Sequence, residues 1–189
     1  MNTSRNRITG IVLAGGESKR FGSDKAIYDF QGKSMLKHSI DLLQSFCHQI
    51  YVSGDRDEYS RYGYSCVPDR YLDHGPLSGI ATLLEESTTT QNLVVTCDMP
   101  LVNEKIVALL LDAHQANTIT IFSYLGHDFY FPMVIDKSYE KILRGIIVRG
   151  NQNIATLFAE NDTVKVEINV DDLHCLTNIN EKSDIPTDD

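Results

Sequence analysis

Lys19, Arg20 and Lys25 place three cations within seven residues of a chain whose formal net charge is −9. They follow Gly15-Gly16, which close a short apolar run, Ile11-Val12-Leu13. Glycine has no Cβ, so a backbone that ends a strand in two glycines can bring its N–H groups directly against an anion. Local positive charge on an acidic chain points to a bound polyphosphate and not to a surface for an anionic polymer. On this spacing alone, a glycine turn followed by a solvated basic loop is an equal alternative.

A second chemical centre lies in Leu93-Val94-Val95-Thr96-Cys97-Asp98-Met99-Pro100. An apolar run ending in an aspartate presents a carboxylate at the strand's exit. Hard Mg²⁺ prefers oxygen ligands of this kind and shares its shell with substrate phosphates. Asp98 could instead cap the helix expected over Val102–Leu111, but Asn103 stands closer to that start. Asp69 follows another short run, Tyr64–Val67, and precedes Gly75-Pro76-Leu77-Ser78-Gly79, a turn that lets a helix N-terminus face a ligand. A simple aspartate turn with a helix cap is the alternative there. His74 is read as a loop histidine, because a phosphate nucleophile that is already an anion needs no general base. Gly32-Lys33-Ser34 resembles the end of a Walker A loop, but the glycine required at position 27 is Ile. It reads as a tight turn and helix start. The GxGxxG fingerprint is absent from the first loop, and no Ser–His or Cys–His pair at the strand ends suggests a covalent intermediate.

Elements that could position these groups alternate along the chain. Strands are expected at Ile8–Leu13, Ile50–Ser53, Tyr64–Val67, Leu93–Thr96 and Thr118–Phe122. Helices are expected over 34–46, after Gly75-Pro76, and through Val102, Ile106-Val107 and Leu109–Leu111. Asp128–Ile135 is aromatic and β-branched with Pro132 inside it, which favours an edge strand or a bulge. Polar residues after Asn180 suggest a short helix that frays from Pro186. The alternation predicts an α/β domain with a mostly parallel sheet, a single domain over 1–189. In such sheets ligands bind beyond the carboxyl ends of the strands. Gly15-Gly16, Ser53, Asp69 and Asp98 each follow an apolar run, so they should converge on one edge.

Residues 11–26, IVLAGGESKRFGSDKA, resemble the L-A-G-G-x-S-x-R-F/M-G-x-D-K loop of Rossmann-like three-layer α/β/α nucleotidyltransferases, most closely the MobA-like molybdenum cofactor guanylyltransferases. The resemblance covers roughly residues 8–183. It implies that the backbone of Leu13, Ala14, Gly15 and Gly16 wraps a nucleoside triphosphate, that Arg20 and Lys25 neutralise its phosphates, and that Asp98, in C-D-M-P, holds magnesium. Asp69, in the family's D-x(n)-G-P-L-x-G segment, would contact the nucleotide. The guanylyltransferases often carry Asn-x-Asn where this chain has Ser53-Gly54-Asp55, and the first asparagine contacts the guanosine. Asn178 and Asn180 match a family asparagine pair near the active site. An Asx-capped helix start is the alternative for Asn178. Arg149 falls in a region resembling the acceptor-binding face.

The implied reaction transfers GMP from GTP to the phosphate of molybdopterin or its molybdenum-loaded form, with Mg²⁺ as cofactor. Transient contact with molybdoenzyme apoproteins or other cofactor-biosynthesis proteins would follow. Alternatives are a cytidylyltransferase for the same pterin, a sugar-phosphate nucleotidyltransferase, or a non-catalytic nucleotide-binding regulator.

Composition agrees with a soluble globular protein. Of the 189 residues, 42% are hydrophobic and 23% charged. With 26 acidic against 17 basic residues and no basic stripe, nucleic acid is not an expected partner. The four cysteines form no CxxC, and reduced, mostly buried thiols are expected. MNTSRNRITG carries no apolar h-region and no run approaches the length of a membrane span, so a cytoplasmic protein without membrane attachment is expected.

Overall fold

The structure is a computed structural model, which describes residues 8–15, 24–71 and 73–185. Gly16, Lys19 and Arg20 of the loop named above, and Pro186 near the C-terminus, lie outside the described residues.

Strand β1 (Ile8–Leu13) is buried along its whole length. It lies between β4 (Gln49–Ser53) and β6 (Gln91–Thr96), parallel to both, with Ile11 opposite Tyr51 on one side and Val94 on the other. Continuous burial explains why ITGIVL shows no alternation: a parallel strand covered on both faces has no solvent side. β5 (Ser65–Val67) extends the sheet beyond β4, again in parallel. On the other flank stand β8 (His127–Asp136), β7 (Ile119–Tyr124) and β9 (Thr163–Glu167), giving the order β5-β4-β1-β6-β8-β7-β9. β8 alone runs antiparallel to both of its neighbours. The mostly parallel α/β sheet expected from the alternation is therefore present.

Helices cover both faces. Val12 and Val52 share an apolar cluster with Leu36, Ile40 and Leu43 of α1 (Met35–Gln44) and with Ile106 and Leu110 of α4 (Glu104–Ala113). Ile11 and Leu13 point the other way, into Leu77, Ile80 and Leu84 of α3 (Pro76–Glu86) and Leu143 and Ile146 of α5 (Glu140–Val148). Removing most of any one of these fully buried aliphatic side chains costs about 2–5 kcal/mol.

Local chemistry starts three of the helices. Ser34 caps α1 by accepting from the Lys37 N–H, and Asn103 caps α4 by accepting from Ile106. The cap of α4 is thus the residue expected, leaving Asp98 free of that task. Pro76 occupies the first turn of α3, where its missing N–H costs nothing. Gln31 and Gly32 both have positive φ, 52° and 84°, between two-residue strands β2 (Asp29–Phe30) and β3 (Lys33–Ser34). Gly32-Lys33-Ser34 therefore belongs to a tight hairpin turn leading into α1, as expected, and not to a phosphate loop.

Pro132 lies in β8, an interior strand with partners on both sides, and not on the edge that was one of its two expected settings. The bulge alternative holds: the β7–β8 register shifts between Thr120 and Phe122, where β8 passes through Pro132. A proline without an N–H is tolerated where the ladder is already interrupted.

Not among the elements expected from the sequence are α2 (Asp57–Ser60), α5, α6 (Ala155–Ala159), β9 and a 3₁₀ segment at Val170–Leu176. α2 and α6 are too short to show a period, whereas Leu143, Ile146 and Ile147 of α5 and the alternating Val164 and Val166 of β9 are signals that those expectations pass over. The C-terminal helix is a single 3₁₀ turn, Lys182–Asp184. All four cysteines are free thiols, three of them buried. No helix among the described residues is long and apolar enough to cross a membrane.

Candidate active site

The carboxyl ends of β5, β4, β1 and β6 open onto a cavity of about 510 Å³. Gly15, Ser53, Asp69 and Asp98, the four strand-exit positions singled out in the sequence, all line it. The reason is topological. After β5 the chain crosses from one side of β1 to the other, and the loops on the two sides diverge to leave a crevice. The N-terminal turn of α3, with Gly75, Pro76, Ser78 and Gly79, forms the facing wall. The positive end of its helix dipole favours an anion there.

Gly79 explains how α3 comes this close. A Cβ at that position would lie 2.8 Å from both Leu13 Cδ2 and Ser53 Oγ, so a larger residue fits only if those side chains shift. Gly75 has φ +53°, a conformation that glycine adopts without steric cost, and it turns the chain into the helix.

At the centre, Lys25 Nζ donates to Asp98 Oδ2 at 3.0 Å and to Asn180 Oδ1 at 3.3 Å. Both members of the ion pair are largely buried, with side chains 15% and 18% exposed. Lys25 opens a 3₁₀ turn, Lys25–Ile27, capped by Asp24, whose Oδ1 accepts from the Ala26 N–H at 3.0 Å. Asp98 is held by backbone on two sides. Cys97 N–H extends the β1–β6 ladder to Leu13 O, and Ile179 N–H donates to Asp98 O at 2.7 Å. Oδ1 of Asp98 is buried and has no hydrogen-bond partner among the described residues. A buried, unpaired carboxylate oxygen is costly unless something satisfies it, and a hard cation is one such partner. Among the described residues no group of three or more His, Cys, Asp or Glu side chains is placed to cage a metal. A cation here would depend on Asp98 and on ligands brought by substrate or water.

On the other side of Gly15, Ser53 Oγ donates to Asp69 Oδ1 at 2.6 Å. Ser53 is buried, 2% exposed, so its hydroxyl is committed to the aspartate. Burial pushes the Asp69 carboxyl above its ordinary range. The Ser53 bond offsets part of this rise and the nearby charge of Asp55 adds to it. Burial likewise pushes the Cys97 thiol up to about 12, with the Asp98 charge adding to the effect, so Cys97 is no nucleophile.

Among the remaining expected positions, Leu13, Ala14 and Lys25 line the cavity. Asn180 reaches it through Lys25, while Asn178 is exposed. The turn after Asn180 is closed by Asp184, which accepts from the N–H groups of Asn180 and Glu181. Arg149 pairs with Glu160 at 2.8 Å and does not line the cavity. The wall also includes Tyr71, Asp73 and Thr96, which sequence reasoning passed over, and His74, which it read as a loop histidine. The Nδ1–H of His74 donates to Asn151 O at 3.0 Å, tying the α5–α6 connection to the cavity rim. No local motif marks these four as wall residues; only their neighbourhood to the strand exits could have done so.

A mostly parallel α/β sheet whose strand exits converge on a lysine–aspartate pair, beside a helix N-terminus suited to phosphate, fits a nucleotidyltransferase, and the family comparison agrees. The chain belongs to the MobA-like NTP transferase domain family, whose model matches residues 10–164. A molybdenum cofactor guanylyltransferase of Aliivibrio fischeri is 31% identical over 161 residues, covering 82% of this chain and 81% of the relative. The molybdopterin-guanine dinucleotide biosynthesis protein A of Archaeoglobus fulgidus has the same fold, with a TM-score of 0.79 at 19% identity over 94% of each chain. So does a protein of Mycobacterium tuberculosis solved in complex with manganese, with a TM-score of 0.65 at 18% identity over 90% of this chain and 97% of that one.

Proposed function

We propose that this chain transfers GMP from GTP to the terminal phosphate of molybdopterin, or of its molybdenum-loaded form, and releases pyrophosphate. The observation that carries this reading is the Lys25–Asp98–Asn180 cluster at the carboxyl end of the sheet, in a chain related across most of its length to molybdenum cofactor guanylyltransferases.

The triphosphate would lie along the backbone of Leu13, Ala14, Gly15 and Gly16, with the base towards the Ser53–Asp69 pair. Arg20 belongs to the same loop and would add charge to the phosphates. The acceptor phosphate attacks the α-phosphorus from the side opposite the departing pyrophosphate; one P–O bond forms as the other breaks. Lys25 follows the charge that grows on the phosphate oxygens, and its fixed position means that no reorganisation is needed at that moment. Asp98 fits a divalent cation, Mg²⁺ in this reading, through the otherwise unsatisfied Oδ1. When bound, such an ion supplies Lewis-acid stabilisation of phosphate oxygens. Asn180 holds Lys25 from the acceptor side, where Asn178 would also lie; Arg149, paired with Glu160 outside the cavity, would reach an acceptor only by leaving that ion pair.

The test is a nucleotide panel: the protein with Mg²⁺, molybdopterin and each of GTP, CTP, ATP and UTP, with pyrophosphate release measured. Turnover confined to GTP is expected. Preference for CTP would overturn the base assignment while keeping the site. No release with any nucleotide would remove molybdopterin as acceptor.

A further inference from the structure

Tyr59 does not line the cavity, yet its hydroxyl reaches one residue on each side of the loop 16–23. It lies 3.2 Å from Ala14 O, 3.0 Å from Asp24 Oδ2 and 3.2 Å from Asp24 Oδ1. Ala14 leads out of β1, and Asp24 is the cap of the turn that carries Lys25.

The ring is placed with little freedom. Tyr59 is 1% exposed, packed in the cluster that also holds Ala14 and Ala26. Gly54, at φ +137°, passes so close that a Cβ there would lie 3.0 Å from the ring. A phenol has one proton for three acceptor atoms. The carboxylate of Asp24 is the stronger acceptor, because a hydrogen bond to a charged group is worth roughly twice a neutral one. Burial and the Asp24 charge raise the phenol's pKa, so the hydroxyl remains a donor across the working pH range. Asp24 also takes Arg56 Nε at 3.4 Å from its solvent side, and its own side chain is only 8% exposed.

We infer that Tyr59 is a positioning residue for nucleotide binding: it orients Asp24, Asp24 fixes the Lys25–Ile27 turn, and that turn sets Lys25 Nζ between Asp98 and Asn180. The inference rests on the proposed function for the role of Lys25, but its geometry is independent of which base or acceptor is used. DRDEYS carries no periodicity or motif that connects position 59 with position 24, so only the fold reveals the link.

The test measures equilibrium binding of Mg²⁺ and a fluorescent GTP analogue to the full chain, with thermal unfolding in parallel. Tyr59→Phe keeps the ring and removes the hydroxyl. Binding is expected to weaken about tenfold, the order of one charge-assisted hydrogen bond. Placed in an Asp24→Ala background, which removes the acceptor for both Tyr59 and Ala26, the same change should have no further effect, because its route to Lys25 is already cut. A purely structural role would lower Tm in both backgrounds and leave binding unchanged below the transition. Binding within twofold of wild type, or independent effects of the two substitutions, overturns the inference. Arg56→Gln reaches Asp24 from the exposed side and serves if Tyr59→Phe does not fold. It is expected to weaken binding about twofold, again only where Asp24 is intact. An equal loss without Asp24 overturns the inference in the same way. Binding by the wild-type chain without turnover would count against the proposed reaction alone.

Discussion

Lys25 Nζ and Asp98 Oδ2 stand 3.0 Å apart although 73 positions separate them in the chain. The pair joins the first loop of the sheet to the exit of its central strand β6. Each member keeps the other's charge tolerable in a mostly buried setting. Removing one partner leaves the other's charge to be satisfied by what remains, which for Lys25 includes Asn180.

Asp98→Ala is therefore expected to lower pyrophosphate release at least about a hundredfold, equivalent to about 2.7 kcal/mol in the barrier. The chain should still fold, because β6 is held by its ladders and not by this side chain. Steady-state turnover and thermal unfolding measured together check this. Turnover within tenfold of wild type would remove the metal assignment.

Lys25→Ala should cost about a hundredfold to a thousandfold in turnover, as for loss of one preorganised donor at developing charge. The discriminating readout is the split between kcat and KM. If Lys25 acts as proposed, kcat must fall. A change confined to KM would make it a ground-state binding residue only.

Gly79 and Gly15 give opposite expectations for the same substitution. Gly79→Ala puts a Cβ 2.8 Å from Leu13 and Ser53, and overpacking of this kind costs about 1–3 kcal/mol. Tm should fall by about 2–10 °C. A Cβ at Gly15 meets Ser53 Oγ at 3.6 Å and Asp69 Oδ2 at 3.8 Å, ordinary contact distances. Gly15→Ala should keep its Tm and lose nucleotide affinity, because the methyl group occupies the cavity. Calorimetry and nucleotide titration of both variants separate the two cases, and equal Tm losses would contradict them.

The Asp69 carboxyl lies above its ordinary value of 3.8 in the folded chain. Between that value and the raised one, the folded chain holds more protons than the unfolded chain, so the stability contributed by Asp69 falls as pH rises through that window. Asp69→Asn does not titrate. Its Tm, relative to wild type, should therefore become more favourable on going from acid conditions to neutrality, while nucleotide affinity drops. A Tm difference that stays constant with pH would show that burial does not perturb this carboxyl.

Much of this fold is legible in the amino-acid order. Short uninterrupted apolar runs mark the parallel strands, because a strand covered on both faces has no polar side. Ser34, Asn103 and Gly75-Pro76 mark helix starts through chemistry confined to a few neighbouring residues. The strand-exit residues Gly15, Ser53, Asp69 and Asp98 follow from the rule that such sheets bind ligands at their carboxyl ends. Less is legible after Asp136. There Ile142-Leu143 and Ile146-Ile147 keep helical spacing and Val164 and Val166 alternate, but no glycine-rich turn or uninterrupted apolar run fixes where α5, α6 and β9 pack on the sheet.

The sequence by itself determined the α/β class, the cationic glycine loop and the set of residues able to do phosphate chemistry, since each depends on composition and order over a few positions. Tertiary structure alone decided the partners: Lys25 with Asp98 and Asn180, Ser53 with Asp69, Tyr59 with Asp24, His74 with the carbonyl of Asn151. Those contacts join residues 16 to 155 positions apart, where no local preference acts. They exist because the crossover at β1 and the close approach of α3 at Gly79 bring the strand exits to one place.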